Sequence, residues 1–130
     1  MKRKILFLVV AVLAIFPIFR ASATPENKPD PNFFIYLCIG QSNMEAGAVP
    51  AEQDKDFNNP RFQFMAAVDM PKLGREMGKW YTAIPPICRE GNNLGPVDFF
   101  GRKMIDILPS EYHVGVINVS VAGAKIQLWD

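Results

Sequence analysis

The stretch Phe33–Met44, FFIYLCIGQSNM, carries the reading of this chain. Phe33–Ile39 is an unbroken apolar run rich in aromatic and β-branched residues, and it stops at Gly40. That pattern predicts a strand buried on both faces, as in a parallel sheet covered by helices. A second run of the same kind, His113–Val121 (HVGVINVSV), stops at Ala122-Gly123. Between them, Pro96–Leu108 (PVDFFGRKMIDIL) places Val97, Phe100, Met104 and Leu108 at spacings of three and four, one stripe of an amphipathic helix. Pro96 suits its first turn and Pro109 stops it. Gly101 costs that helix about 1 kcal/mol relative to Ala unless it lets the backbone approach the sheet. Asp98 falls in the first turn, where the helix dipole is expected to lower a carboxylate's proton affinity. The sum is an α/β layer in which Phe33–Ile39 and Val114–Val121 are parallel neighbours and Pro96–Leu108 is the crossover helix.

Working outward, Ala46–Gly95 is less regular. Arg61–Val68 and Lys79–Ala83 read as short strands, with Pro71, Gly74 and Gly78 marking turns. Pro85-Pro86 and Gly91-Asn92-Asn93 impose irregular backbone. An excursion of this kind, leaving the C-terminal end of a buried strand, is where α/β proteins build binding sites.

The first residues, MKRKILFLVVAVLAIFPIFRASA, combine three positive charges, an apolar run and a small-x-small ending at Ala23, which predicts a secretory signal peptide over residues 1–23. The product is expected to be secreted or periplasmic, without stable membrane insertion after cleavage. Thr24–Asn32 (TPENKPDPN) has three prolines and nothing apolar to bury, so it reads as an extended leader. The 130 residues carry 14 basic and 13 acidic side chains, but Lys2, Arg3, Lys4 and Arg20 all lie in the signal, leaving ten basic against thirteen acidic. No basic cluster remains to hold phosphate, so no nucleic-acid partner is expected. No His, Cys, Asp or Glu set has metal-ligand spacing and no phosphate loop appears, so neither metal nor cofactor is expected. Export permits a disulfide between Cys38 and Cys88, and the sequence is compatible with that bridge or with two free thiols.

Ser42 directly follows the first buried strand. A serine just past Gly40 presents its hydroxyl at the sheet rim, where a following helical turn aims backbone N–H groups at the same point, the geometry of an acyl-transfer nucleophile. The same position also suits a helix N-cap. Trp80, Tyr81 and Trp129 can stack on a sugar ring or pack in a core, and packing is the default for aromatics.

FFIYLCIGQSNMEAG, NPRFQFMAAVDMPKLGREMGKWYTAIPPICR and VGVINVSVAGAKIQLWD together resemble the SGNH-type hydrolases grouped as sialate O-acetylesterase-like proteins and acetylxylan esterases, carbohydrate esterase family 6. Gly40-Gln41-Ser42-Asn43-Met44 is the distinctive string, and it differs from the Gly-x-Ser-x-Gly elbow of the α/β-hydrolases. The resemblance spans residues 33–130. It implies a three-layer α/β/α, flavodoxin-like SGNH fold around a parallel sheet, here truncated, and hydrolysis of acetyl esters on an acetylated carbohydrate partner. By the same resemblance Ser42 is the nucleophile and contributes its own N–H to an oxyanion hole. Gly123 supplies a second N–H, Ala122 and Ala124 departing from the family's Gly-Gly-Thr-like turn. Gln41, Asn43, Arg89, Asn92 and Asn93 are candidate sugar contacts, while Glu45 reads as merely solvated. The family's Gln-Gly-Glu and Asp-x-x-His blocks are expected beyond Asp130, so the chain reads as an N-terminal portion, marginally folded and without esterase activity by itself. His113 begins the second strand, roughly 20 Å from Ser42 at about 3.3 Å per residue, too far for a general base. A second reading is a non-catalytic secreted carbohydrate-binding or structural domain on a hydrolase scaffold.

Overall fold

A computed structural model describes residues 28–45 and 47–129. The expected signal peptide lies outside the described residues, as do residues 24–27 of the leader. Four strands form one sheet in the order β1-β4-β2-β3: β1 Phe33–Cys38, β2 Phe62–Met65, β3 Trp80–Thr82 and β4 His113–Asn118. β4 is parallel to β1 on one side and to β2 on the other, while β3 joins β2 antiparallel. The helices are α1 (Ser42–Glu45), α2 (Glu52–Lys55) and α3 (Pro96–Ile107), with 3₁₀ turns at Pro71–Leu73 and Ile126–Trp129. This mostly parallel sheet with flanking helices has the layering of the α/β/α SGNH-like fold. Among the described residues no helix is long and apolar enough to cross a membrane.

Register decides which side chains meet the helix layer. Tyr36, Val116 and Phe64 are partners across three strands, as are Phe34, Val114 and Phe62, so these residues share a face. Phe62, Phe64, Val114 and Val116 are fully buried there beside Val97 and Ile105 of α3. Burying each of these side chains contributes about 1.5–3 kcal/mol. Phe100 meets Tyr36 edge to face at 4.9 Å.

Two expectations are corrected. β1 is not buried on both faces: Ile35 and Leu37 are 54% and 60% exposed. It is an edge strand among the described residues, and only Phe33 on that side finds an aromatic partner, Trp80, at 5.0 Å. Those two rings meet over Gly115, where a β-carbon would lie within 2.6 Å of one and 2.8 Å of the other. Secondly, α3 is rotated from its apolar stripe. Its buried residues are Val97, Asp98, Gly101 and Ile105, while Phe100 is partly exposed. Gly101 is the cause, because the Phe62 ring occupies the space of its missing side chain and draws that side of the helix inward.

Arg61 closes the far end of α3. Its guanidinium donates to the carbonyls of Leu108 (3.0 Å), Pro109 (2.7 Å) and Tyr112 (2.9 Å), satisfying acceptors that the helix end leaves open.

Candidate active site

The parallel ladder continues past the ends of β1 and β4. Val119 N–H donates to the Cys38 carbonyl at 3.0 Å, and Val121 N–H donates to the Gly40 carbonyl at 3.2 Å. Ser42 and Gly123 each stand two residues beyond that last rung, and two residues reach at most about 7 Å. A cavity of about 250 Å³ opens between the two turns, lined by Ile39, Gly40, Gln41, Ala124 and Ile126.

Each turn has its own cause. Met44 and Glu45 N–H groups both donate to the Gln41 carbonyl, at 2.8 and 3.1 Å, so the helical turn starts at Ser42 and not after it. Ser42 is therefore the first helical residue and not an N-cap. It is exposed, and neither its N–H nor its hydroxyl has a hydrogen-bond partner among the described residues. A β-carbon at Gly40 would come within 2.7 Å of Met44 Cβ, so glycine there permits α1 to fold back against the strand end. On the other side, Ala124 N–H closes a turn onto the Val121 carbonyl at 3.0 Å, with Gly123 at φ +75° in its third position. That position of a type II turn favours glycine. Ala122 needs no such freedom, since positive φ is confined to glycines among the described residues. Gly123 N–H likewise has no acceptor there.

Beneath the two turns lies a polar network. Asn118, at the end of β4, accepts from Ser120 N–H (3.1 Å) and Ser120 Oγ (2.6 Å) and donates from Nδ2 to the Met44 carbonyl (3.3 Å). Arg89 Nε donates to Glu45 Oε1 and its Nη2 donates to the Ser120 carbonyl, both at 2.5 Å. Glu45, expected to be solvated, is thus ion-paired to Arg89, and the Glu45 side chain is only 12% exposed. The Cys88 thiol approaches the same Ser120 carbonyl at 3.9 Å, and burial pushes its pKa up to about 11. Cys38 and Cys88 are both free thiols.

The remaining sequence candidates fall in different places. Gln41 and Asn43 flank Ser42 and are exposed. Asn92 and Asn93 line another cavity, of about 550 Å³, with Lys72, Leu73, Pro86, Glu90 and Gly91. His113 pairs with Phe33 at the start of β1, the opposite end of the strand from Gly40. Trp80 packs on Phe33, and Tyr81 lies 5.9 Å from Phe64 while its hydroxyl accepts from Glu76 N–H. Asp98 starts α3 by accepting from Gly95 N–H at 2.8 Å, yet burial raises its pKa, opposite to the expected effect of the helix dipole. The partner residues missed by sequence reading are Glu45, Asn118 and Ser120, whose roles depend on contacts with residues far away in the chain.

The fold and the rim of strand-end turns define an α/β protein with, at the C-terminal edge of a mostly parallel sheet, a serine and backbone donors that are unpaired among the described residues. Residues 32–130 match the family described as carbohydrate esterase, sialic acid-specific acetylesterase, and the chain belongs to that family. A crystal structure of NanS shares its fold, with TM-score 0.51 and 17% identity over 71% of this chain. The chain spans 36% of that protein's length.

Proposed function

We propose that this chain carries the nucleophile and two oxyanion donors of a secreted or periplasmic serine esterase that removes acetyl groups from carbohydrate, of the sialate O-acetylesterase or acetylxylan esterase type. Ser42 Oγ attacks the acetyl carbonyl, and the N–H groups of Ser42 and Gly123 receive the developing oxyanion. The sugar alcohol leaves with a proton, and water then cleaves the acetyl-serine to acetate and free Ser42. Proton transfer falls to a histidine outside these residues, because His113 is at the wrong end of the sheet. In this reading Gln41 and Asn43, both exposed beside Ser42, contact the sugar. The observation that supports this reading is the Gly40–Val121 rung, which joins the two strand ends two residues before Ser42 and Gly123, beside a cavity lined by Gly40, Gln41 and Ala124.

The test is turnover of O-acetylated sialic acid and acetylated xylan by the full-length protein and its Ser42→Ala variant. Loss of turnover by about 10⁴-fold or more is expected for removal of a nucleophile. Equal turnover by both proteins would remove Ser42 from the mechanism, and sugar binding with no turnover in either would favour the non-catalytic carbohydrate-binding scaffold.

A further inference from the structure

We propose that Arg89 is a positioning residue for this esterase site: it fixes the turn that carries Ser42 relative to the turn that carries Gly123, and does not itself bind sugar. The inference rests on the proposed esterase function and deepens it. Arg89 lies in the loop between β3 and α3, on neither turn, yet one guanidinium reaches both. Its Nε is held by Glu45, the last residue of the helical turn that Ser42 begins. Its Nη2 is held by the Ser120 carbonyl, three residues before Gly123. Ser120 is fully buried and pinned to Asn118, so the carbonyl that Arg89 grips does not swing freely. Asn118 makes a second, direct tie to Met44 in the same helical turn. The planar guanidinium of Arg89 offers two rigidly related donors, and a lysine ammonium on a flexible stem cannot hold both acceptors in that relation.

Oxyanion donors act on charge that develops only in the transition state, so displacing one turn against the other lowers kcat and leaves substrate affinity nearly unchanged. A misplacement of about 1 Å costs on the order of 10²-fold in rate. A residue that bound sugar would behave differently, raising KM for acetylated sugars and sparing a substrate without sugar.

The experiment uses the full-length protein with Arg89→Lys, Arg89→Ala and Glu45→Gln, active sites counted by covalent fluorophosphonate labelling, and two substrates, an O-acetylated sialic acid and 4-nitrophenyl acetate. The expected result is a kcat per labelled site lowered by roughly 10²-fold on both substrates in both Arg89 variants, with KM within about twofold of the parent. Glu45→Gln, which keeps an acceptor, is expected to lose less, and added guanidinium ion to restore part of the Arg89→Ala rate. A KM increase confined to the sugar substrate would overturn the proposal in favour of sugar binding. Unchanged kcat per labelled site, with only fewer folded molecules, would overturn it in favour of a purely structural role. Failure of the underlying esterase reading shows separately, as a Ser42→Ala protein that retains full turnover.

Discussion

The ring of Phe62 stands where a side chain on Gly101 would have to be. An ideal β-carbon at Gly101 lies 2.0 Å from both Cε2 and Cζ of that ring. Phe62 is fully buried in β2, so the ring has nowhere to retreat. Helix propensity alone would make Gly101→Ala a gain of about 1 kcal/mol. The overlap reverses the sign, and a net loss of about 3 kcal/mol is expected, at the upper end for overpacked cores. Urea unfolding of the two proteins measures it, and adding Phe62→Leu to the variant should recover part of the loss. A stabilised Gly101→Ala protein would show that α3 does not sit against β2 as described.

Gly40→Ala tests the turn itself. The new methyl meets Met44 Cβ at 2.7 Å and Cγ at 3.1 Å, both on the helical turn begun by Ser42. On the proposed esterase function, the full-length variant should label at Ser42 and hydrolyse 4-nitrophenyl acetate about 10²-fold more slowly. Its stability should fall by only about 1–3 kcal/mol. Parent-like labelling rates would mean that α1 tolerates the shift and that Gly40 has another role.

Asp98 gives a pH signature. Burial raises its pKa, with Asp54 adding to the rise, while the Gly95 amide and the Arg102 charge oppose it. The folded protein therefore holds this proton more tightly than the unfolded chain. Its contribution to stability is fullest below the ordinary carboxylate value of about 4 and declines as pH rises through the raised folded value. Asn at this position can still accept the Gly95 hydrogen bond and does not titrate. The unfolding midpoint of Asp98→Asn should therefore improve relative to the parent as pH is taken from about 4 to 7. Asp54, whose pKa is lowered chiefly by its hydrogen bond from Arg102, titrates in the opposite sense but is common to both proteins. A constant gap between the two midpoints would mean that Asp98 is not desolvated.

The thiols report on the loop beneath the site. With a pKa of about 11 and almost no exposure, Cys88 is essentially all thiol at neutral pH and shielded from reagents. In the native protein, Ellman's reagent should leave Cys88 unmodified and react slowly with half-buried Cys38, whose pKa burial also raises. Both should react once the chain is unfolded, with Cys88→Ser assigning the signals. Rapid native reaction at Cys88 would show that the segment around Ser120 opens readily.

The strands and α3 were legible because their signals are local. Apolar runs ending at Gly40 and at Ala122-Gly123, and a proline at each end of the helix, describe backbone that the chain forms within a few residues. Burial was less legible. The composition of Ile35 and Leu37 suits a covered face, but exposure depends on what other segments lie there. The rotation of α3 was hidden because its inward line runs through a glycine and an aspartate, which a search for apolar spacing passes over. α2 was missed altogether, although Asp54 accepting from Ala51 N–H at 3.0 Å is a local start signal. For the candidate site, the strand-Gly-x-Ser turn pointed to Ser42, and the family resemblance alone pointed to Gly123. The ties between them, Glu45 to Arg89 and Asn118 to Met44, span 44 and 74 residues and leave no periodic trace.

The backbone rung between Gly40 and Val121 also bears on how this sequence can change over time. The spacing of the two turns is written in main-chain hydrogen bonds, which every non-proline residue supplies alike. Substitutions at Ala122 or Ala124 are thus nearly invisible to that spacing, and neutral drift can replace the polar and glycine residues common at such turns. An insertion or deletion of one residue in either turn has no such protection. It would shift a whole peptide group out of place, so the lengths of these two segments should resist change more strongly than the identities of most side chains within them.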